Sequence, residues 1–262
     1  MTRSRWREEA LRRGIPPRDV DLLLADLTAK PLSWVIAHGD DDVDATPLEA
    51  MLARRFAGEP LQYIRGKTEF YGREFLVDNR VLIPRPETEG LVEAAIARVP
   101  RGATVIDVGT GSGCIAVSLA LERGDLRVIG VDASIDALAV AKTNRDRLRA
   151  NVAFVASDVL TAIKRVSFVV SNPPYIAQEI VETLATEVRD HEPRMALTPG
   201  PRGTEVIERI LDQAQRAPVM LEIGYGQDAE IAEVARAHGY DVDEILKDLA
   251  AIPRVVVLSA AW

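Results

Sequence analysis

Two stretches of this chain set chemically capable residues at informative intervals. The first runs Val105-Ile106-Asp107-Val108 directly into Gly109-Thr110-Gly111-Ser112-Gly113. Glycines allow a sharp turn and a close approach of a ligand to the backbone. The later run Val128-Ile129-Gly130-Val131 ends on Asp132, and a carboxylate there can accept hydrogen bonds from both hydroxyls of a ribose. Taken alone, the glycines fit an unliganded strand–helix turn; with an apolar strand before, a helix behind and Asp132 downstream, they read as a nucleoside site. The dinucleotide fingerprint is not met, because the third glycine falls one position early and Cys114 occupies the expected place. Asp107 precedes the first glycine by two positions. It opposes a pyrophosphate but suits an ammonium, such as that of a methionine moiety, so electrostatics favour S-adenosylmethionine (SAM) over a dinucleotide. Phe154-Val155-Ala156-Ser157 ends on a further acid, Asp158, which could accept from the adenine amino group or serve as N-cap of a helix over 159–164.

The second stretch is Asn172-Pro173-Pro174-Tyr175, immediately after the apolar run Phe168-Val169-Val170-Ser171. An amide nitrogen is a poor nucleophile because its lone pair is delocalised. Acceptors that bind both hydrogens of an NH2 group can direct that nitrogen at a methyl donor. The Asn172 side-chain oxygen and the Pro173 carbonyl are such acceptors, and the prolines lack NH donors and fix φ, so the loop presents carbonyls rigidly. Tyr175 can lie flat against the planar group. Transfer would be an in-line displacement driven by positioning and desolvation, with no strong general base. The plainer reading, a Pro-Pro turn closing a strand, loses ground beside a SAM-type loop.

For these groups to meet, the chain must build a sheet whose strand ends share one edge. From residue 103 short apolar runs alternate with amphipathic ones. Strands are expected over 103–108, 126–131, 152–156, 166–170, 217–223, 240–246 and 253–259, and helices over 112–122, 134–149, 204–216 and 227–238. Such alternation implies a mostly parallel, doubly wound sheet with both faces covered. Lys247 to Ile252 is too short for a crossover, so the last two strands must pair antiparallel. Upstream, residues 1 to about 65 read as a helical bundle. Pro16-Pro17 opens one helix, an acidic turn spans 39–42, and Thr46-Pro47-Leu48-Glu49 has the form of an N-cap followed by a first-turn proline. Residues 68–78 alternate aromatic and polar side chains around Gly72, as a hairpin would. Behind Pro84-Arg85-Pro86 a helix starts with Glu87 and Glu89 in its first turn.

Composition narrows the function classes. With 262 residues, 47% hydrophobic and 27% charged, the chain can bury one substantial core and a small second one. The net charge of −8 argues against broad phosphate neutralisation as the source of affinity. No apolar run approaches a bilayer-spanning helix, and the arginine-rich start is too charged for a secretory signal. The single cysteine, Cys114, excludes a disulfide framework and a cysteine metal cluster, so a reducing cytoplasm is the expectation. His38, His191 and His238 have no ligand spacing to one another and read as surface or structural residues, with no metal expected.

The pairing of the 105–113 and 171–175 motifs resembles the class I SAM-dependent methyltransferases that act on planar NH2 groups. More specifically, the chain resembles the PrmC/HemK family of protein-(glutamine-N5) methyltransferases. That likeness spans almost the whole length and includes IPRPETE at 83–89, VRDHEPRMAL at 188–197, LEIGYGQ at 221–227 and KDLAAIPRVVV at 247–257. It implies a helical substrate-binding domain (1–66), a β-hairpin linker (67–84) and a seven-stranded catalytic domain with an antiparallel last strand (85–262). It further implies methylation of the glutamine in the Gly-Gly-Gln loop of class-1 peptide chain release factors, leaving S-adenosylhomocysteine. Carried over by position, Gly109 to Gly113 and Asp132 would hold SAM, with further contact at Asp158 and Val159. Asn172 to Tyr175 would hold the glutamine amide, with Asn172 near both ligands. Val159 stands where some relatives carry an aromatic residue.

Several residues keep two readings. Arg85 suits contact with the substrate loop or with the SAM carboxylate, and equally a surface arginine between prolines. Glu192 and Arg194 could brace the catalytic loop. The six arginines among residues 3–18 suit an acidic partner or a solvated helix face. Two other functions compete with glutamine methylation. One is a DNA or RNA amino methyltransferase, which shares the Asn-Pro-Pro-Tyr logic but wants a basic target-recognition region. The other is an inactive SAM-binding module, which has no need of Asn172 and Tyr175. The expected protein is a monomer with a release factor as partner and neither nucleic acid nor membrane.

Overall fold

A computed structural model describes residues 2–39, 41–42 and 45–261; Asp40 of the expected acidic turn lies outside them. The chain forms two compact units, one from residues 1–67 together with 185–191, the other from 68–184 and 192–262.

In the first unit, α1 (Arg3–Arg12), α2 (Pro17–Thr28), α3 (Leu32–Ala37), α4 (Ala45–Phe56) and α5 (Leu61–Arg65) enclose Trp6, Leu23, Leu24, Val35, Leu48 and Leu52. Proline at the first position of α2 is preset for helix, and Ala29 ends that helix in the left-handed region at φ 52°. α4 begins at Ala45, so Thr46 sits inside its first turn and is not the N-cap. The N-terminal arginines are not all solvated. Arg3 is buried and its Nε donates to Asp21 at 2.9 Å, while the Arg13 guanidinium lies 3.3 Å above the Phe56 ring. Arg55 pairs with Asp19 at 2.8 Å and with Glu187 at 2.7 Å, which ties the 185–191 segment to the helices.

Next come β1 (Lys67–Phe70) and β2 (Arg73–Leu76), joined through Tyr71 and Gly72 at φ 51° and 67°. Two successive positive φ values match the right-handed twist of a tight hairpin. A short 3-10 turn over Pro86–Thr88 leads into α6 (Glu89–Arg98). Then follow β3 (Thr104–Val108), α7 (Cys114–Glu122), β4 (Arg127–Asp132), α8 (Ile135–Leu148), β5 (Val152–Ala156) and β6 (Phe168–Ser171). After the one-turn helices α9 (Gln178–Val181), α10 (Thr186–Arg189) and α11 (Arg194–Leu197) come α12 (Glu205–Gln213), β7 (Val219–Glu222), α13 (Asp228–Ala237), β8 (Tyr240–Lys247) and β9 (Pro253–Ala260).

The seven strands lie in the order β5-β4-β3-β6-β7-β9-β8; all neighbours up to β7 pair parallel, and β9 runs antiparallel to both its neighbours. Successive residues feed opposite faces. Val105, Val128, Val170 and Met220 pack into one core layer, and Ile106, Val131, Val169 and Leu221 into the other. The chain builds outward from β3 to β5 on one side and returns to β6 on the other, which opens a crevice at the carboxyl ends of β3 and β6.

Asn144 of α8 is fully buried and joins three elements by hydrogen bonds. Its Oδ1 accepts from Leu76 N at 2.7 Å, and its Nδ2 donates to the carbonyls of Leu76 and Ser112, each at 2.9 Å. The substitution Asn144→Ala strands those backbone groups, so it should lower the unfolding free energy by about 2–4 kcal/mol, read from urea denaturation.

Candidate active site

The glycine turn and the Asn-Pro-Pro-Tyr loop leave neighbouring strands at the same level. Val108 is in register with Ser171, and the Ser171 hydroxyl donates to the Val108 carbonyl at 2.7 Å. A cleft of about 300 Å³ opens there, lined by Gly109, Gly111, Asp132, Asp158, Val159, Asn172 and Pro174, among others. The turn is held from the next strand, since Gly109 N and Thr110 N both donate to the Val131 carbonyl at 2.9 and 3.0 Å. At Gly109 (φ 72°) an added Cβ would meet nothing within 4 Å, so the backbone there is open to a ligand.

Three acids stand in three different settings. Asp107 lies beneath the turn and does not line the cleft. Its Oδ2 accepts from Thr110 Oγ1 at 2.6 Å and Ala116 N at 3.2 Å, while Oδ1 is buried with no partner among the described residues. Burial pushes its pKa up to about 7. Asp132 does line the cleft. Gly111 N and Ser134 N donate to its two oxygens at 2.9 Å each, which fixes the carboxylate at the strand end, and burial pushes its pKa up. Asp158 pairs with Arg209 Nη2 at 2.5 Å. Residues 158–162 form a turn, so Asp158 caps no helix there. Val159, beside it, is held at φ 54°, a left-handed conformation costing a β-branched residue on the order of 1–3 kcal/mol.

Of the other residues singled out in the sequence, Asn172 and Pro174 line the cleft, while Thr110, Ser112, Gly113, Pro173, Tyr175 and Arg85 do not. Pro173 is buried. Tyr175 is fixed through its backbone, for Gln227 Nε2 donates to its carbonyl at 3.0 Å and is itself oriented by Gly224 N at 2.8 Å. Burial, reinforced by the nearby Glu222 carboxylate, pushes the Tyr175 phenol up to about 12, so it stays protonated. Arg85 is tethered to the buried Glu192 by a 2.6 Å ion pair. The Asn172 carboxamide donates to Thr88 Oγ1 at 3.0 Å. Thr88, Glu222 and Gln227 escaped residue-level reading of the sequence. They sit inside the 83–89 and 221–227 stretches, where Thr88 is an uncharged hydroxyl between two glutamates and Glu222 and Gln227 flank an apolar, glycine-containing run.

The donor set fits an adenosyl sulfonium ligand: a fixed carboxylate at the second strand, open glycine backbone at the first, and an orphaned buried acceptor beneath the turn. Residues 88–242 match the family model described as the methyltransferase small domain, and residues 5–66 match the PrmC N-terminal domain. A release factor glutamine methyltransferase of Koribacter versatilis is 44% identical over 216 residues, covering 79% of this chain and 76% of that one. Another, from Nitratidesulfovibrio vulgaris, is 40% identical over 272 residues, covering 98% of this chain and 92% of that one. The chain belongs to the release factor glutamine methyltransferase family. Among solved structures, a methyltransferase from Pyrococcus furiosus superposes with a TM-score of 0.55 at 15% identity, covering 82% of this chain and 98% of that one. At that identity the likeness concerns the fold, and the fold is the class I methyltransferase sheet.

Two measurements follow from the turn. A Cβ at Gly130 would lie 2.5 Å from the Phe154 ring and 2.7 Å from Thr110 Oγ1. Gly130→Ala should therefore destabilise by about 1–3 kcal/mol and weaken SAM binding, read by calorimetry. Asp107 holds its proton more tightly folded than unfolded, with a pKa of about 7 against 3.8. The stability it contributes is complete below the ordinary carboxylate range and is lost as pH rises through about 7. Asp107→Asn should flatten the fall in unfolding free energy between about pH 4 and 7, followed by urea titration at fixed pH values.

Proposed function

We infer that this chain transfers a methyl group from SAM to the side-chain amide N5 of the glutamine in the Gly-Gly-Gln loop of class-1 peptide chain release factors. The observation that carries the reading is the shared cleft. Asn172 lines the same space as Gly109, Gly111 and Asp132, and the strands delivering them pair directly.

Each residue then has a task. Asp132 accepts from the ribose hydroxyls, the Gly109–Gly113 turn cradles the methionine end, and Asp158 with Val159 bounds the adenine end. Asp107, from beneath, sets the turn and offers its free oxygen to positive charge. When bound, SAM supplies an electrophilic methyl group on a sulfonium. Asn172 Oδ1 and the Pro173 carbonyl accept the two amide hydrogens, which fixes the amide plane so that the nitrogen lone pair, perpendicular to it, faces the methyl group. Pro174 keeps the loop rigid, and the protonated Tyr175 offers a flat apolar face that excludes water. No basic side chain is needed, because the nitrogen becomes strongly acidic once alkylated and sheds its proton to solvent. Arg85, anchored by Glu192, is available to the incoming loop of the substrate protein.

The acidic balance of the chain, with a net charge of −8, favours a protein substrate over nucleic acid. Among the described residues no helix is long and apolar enough to cross a membrane. Action as a cytoplasmic monomer completes the reading.

Incubation with labelled SAM and either a release factor or nucleic acid tests it, followed by mass spectrometry of the Gly-Gly-Gln peptide. One methyl group on the glutamine is expected, and label in DNA or RNA with none in the factor would overturn the assignment. Asn172→Ala should lower kcat by about 100-fold or more, with a far smaller change in SAM affinity. Asp132→Ala should do the reverse, weakening SAM binding by about tenfold or more as measured by calorimetry.

A further inference from the structure

Glu222 closes β7 and is buried, yet nothing in the chemistry above employs it. Its Oε2 has no hydrogen-bond partner among the described residues. Thr88, also buried, lies close enough to the Glu222 carboxylate to pull its pKa down, the direction that a hydroxyl facing a carboxylate gives. The same hydroxyl oxygen stands 3.0 Å from Asn172 Nδ2. Three polar side chains from separate parts of the second unit thus make one chain, and it ends on the catalytic asparagine.

Donor counting gives that chain a direction. A carboxylate only accepts, whereas a hydroxyl has one proton to give and lone pairs to receive. If Thr88 gives its proton to Glu222, its oxygen can only receive from Asn172. Only the NH2 end of the Asn172 carboxamide can supply that bond, so Oδ1 is turned the other way. Without such an order the two ends of a carboxamide are nearly the same shape, and a half-turn of χ2 exchanges them. The half-turn would put an NH2 group where the substrate nitrogen needs an acceptor.

We propose that Thr88, oriented by Glu222, is a positioning residue that locks the Asn172 carboxamide with Oδ1 toward the substrate nitrogen. This rests on the reading of Asn172 as the acceptor for the glutamine amide. A space-filling role would be met by an apolar side chain, which carries no desolvation cost at a site this dry. That cost is evident: burial pushes the Glu222 carboxyl up to about 7, against the pull of Thr88, Arg254 and Arg85 and with the push of Glu87. Above that pH the carboxylate is ionised and the chain runs in the direction described.

The test compares Thr88→Val, Thr88→Ser and Glu222→Gln in the full-length protein at about pH 8, where Glu222 is charged. Three quantities are read: kcat and KM with a release factor, SAM affinity by calorimetry, and the Asn172 side-chain NH2 signals in nitrogen-15 NMR, assigned with Asn172→Asp. Thr88→Val should lower kcat about 10- to 100-fold, keep SAM affinity within about threefold, and shift or broaden the Asn172 signals. Thr88→Ser should stay near the unaltered protein in all three. Glu222→Gln should move the same signals, because an amide can give as well as receive. An unchanged kcat with unshifted signals in Thr88→Val would overturn the proposal, as would Thr88→Ser impaired equally with Thr88→Val. If the unaltered protein left release factors unmethylated, the function would fall, and the NMR arm would still decide the positioning.

Discussion

The parallel pairing of β3 with β6 is the constraint on which the rest depends. Neither the glycine turn nor the Asn-Pro-Pro-Tyr loop is a site without the other. What joins them is a ladder that aligns Val108 with Ser171, closed by the Ser171 hydroxyl on the Val108 carbonyl. Because both strands run the same way, both loops emerge at one edge, and the reversal of strand order between them leaves a gap that helices do not fill. A slip of one residue along that ladder would turn every side chain of β6 to the opposite face. The wholly buried Phe168–Ser171 run makes such a slip costly, so the core that stabilises the sheet also sets the distance between the glycine turn and the Asn-Pro-Pro-Tyr loop.

The proposed chemistry uses little acid–base machinery. The acids nearest the cleft are spent on backbone NH groups or on an arginine, and the phenol of Tyr175 is held protonated. What remains at the loop are carbonyl oxygens fixed by prolines and by a network of side-chain amides. Gln227 fixes the Tyr175 carbonyl as Thr88 contacts Asn172, which gives the loop an anchor at each end. In the proposed reaction such a loop acts by geometry, with dipoles that need no reorganisation.

Legibility in the sequence followed length and periodicity. The central strands β3, β6 and β7 are buried on both faces and read as continuous runs, and the short Lys247–Ile252 connection forced the terminal hairpin. Asp248 explains why that link can be so tight, since its side chain takes the NH groups of Ala250 and Ile252. The three helices between 178 and 197 escaped because four residues make only one turn and show no period. Thr46 looked like a cap because its local sequence suits one, and the helix extends one residue beyond it. At the site, motif residues on one loop were readable, and long-range partners were not. Asp158 meets Arg209, Asn172 meets Thr88, and Arg85 meets Glu192, all pairs that only the folded topology brings together.

The segment 185–191 belongs with the helices of the first unit, although the residues on both sides of it belong to the second. The helical unit is therefore discontinuous in the gene. A chimera that swaps only the first 67 residues between relatives would leave Glu187 of one parent opposite an arginine chosen by the other. Exchange of the helical unit between relatives therefore has to move both pieces of chain together if the Arg55–Glu187 pair is to be kept.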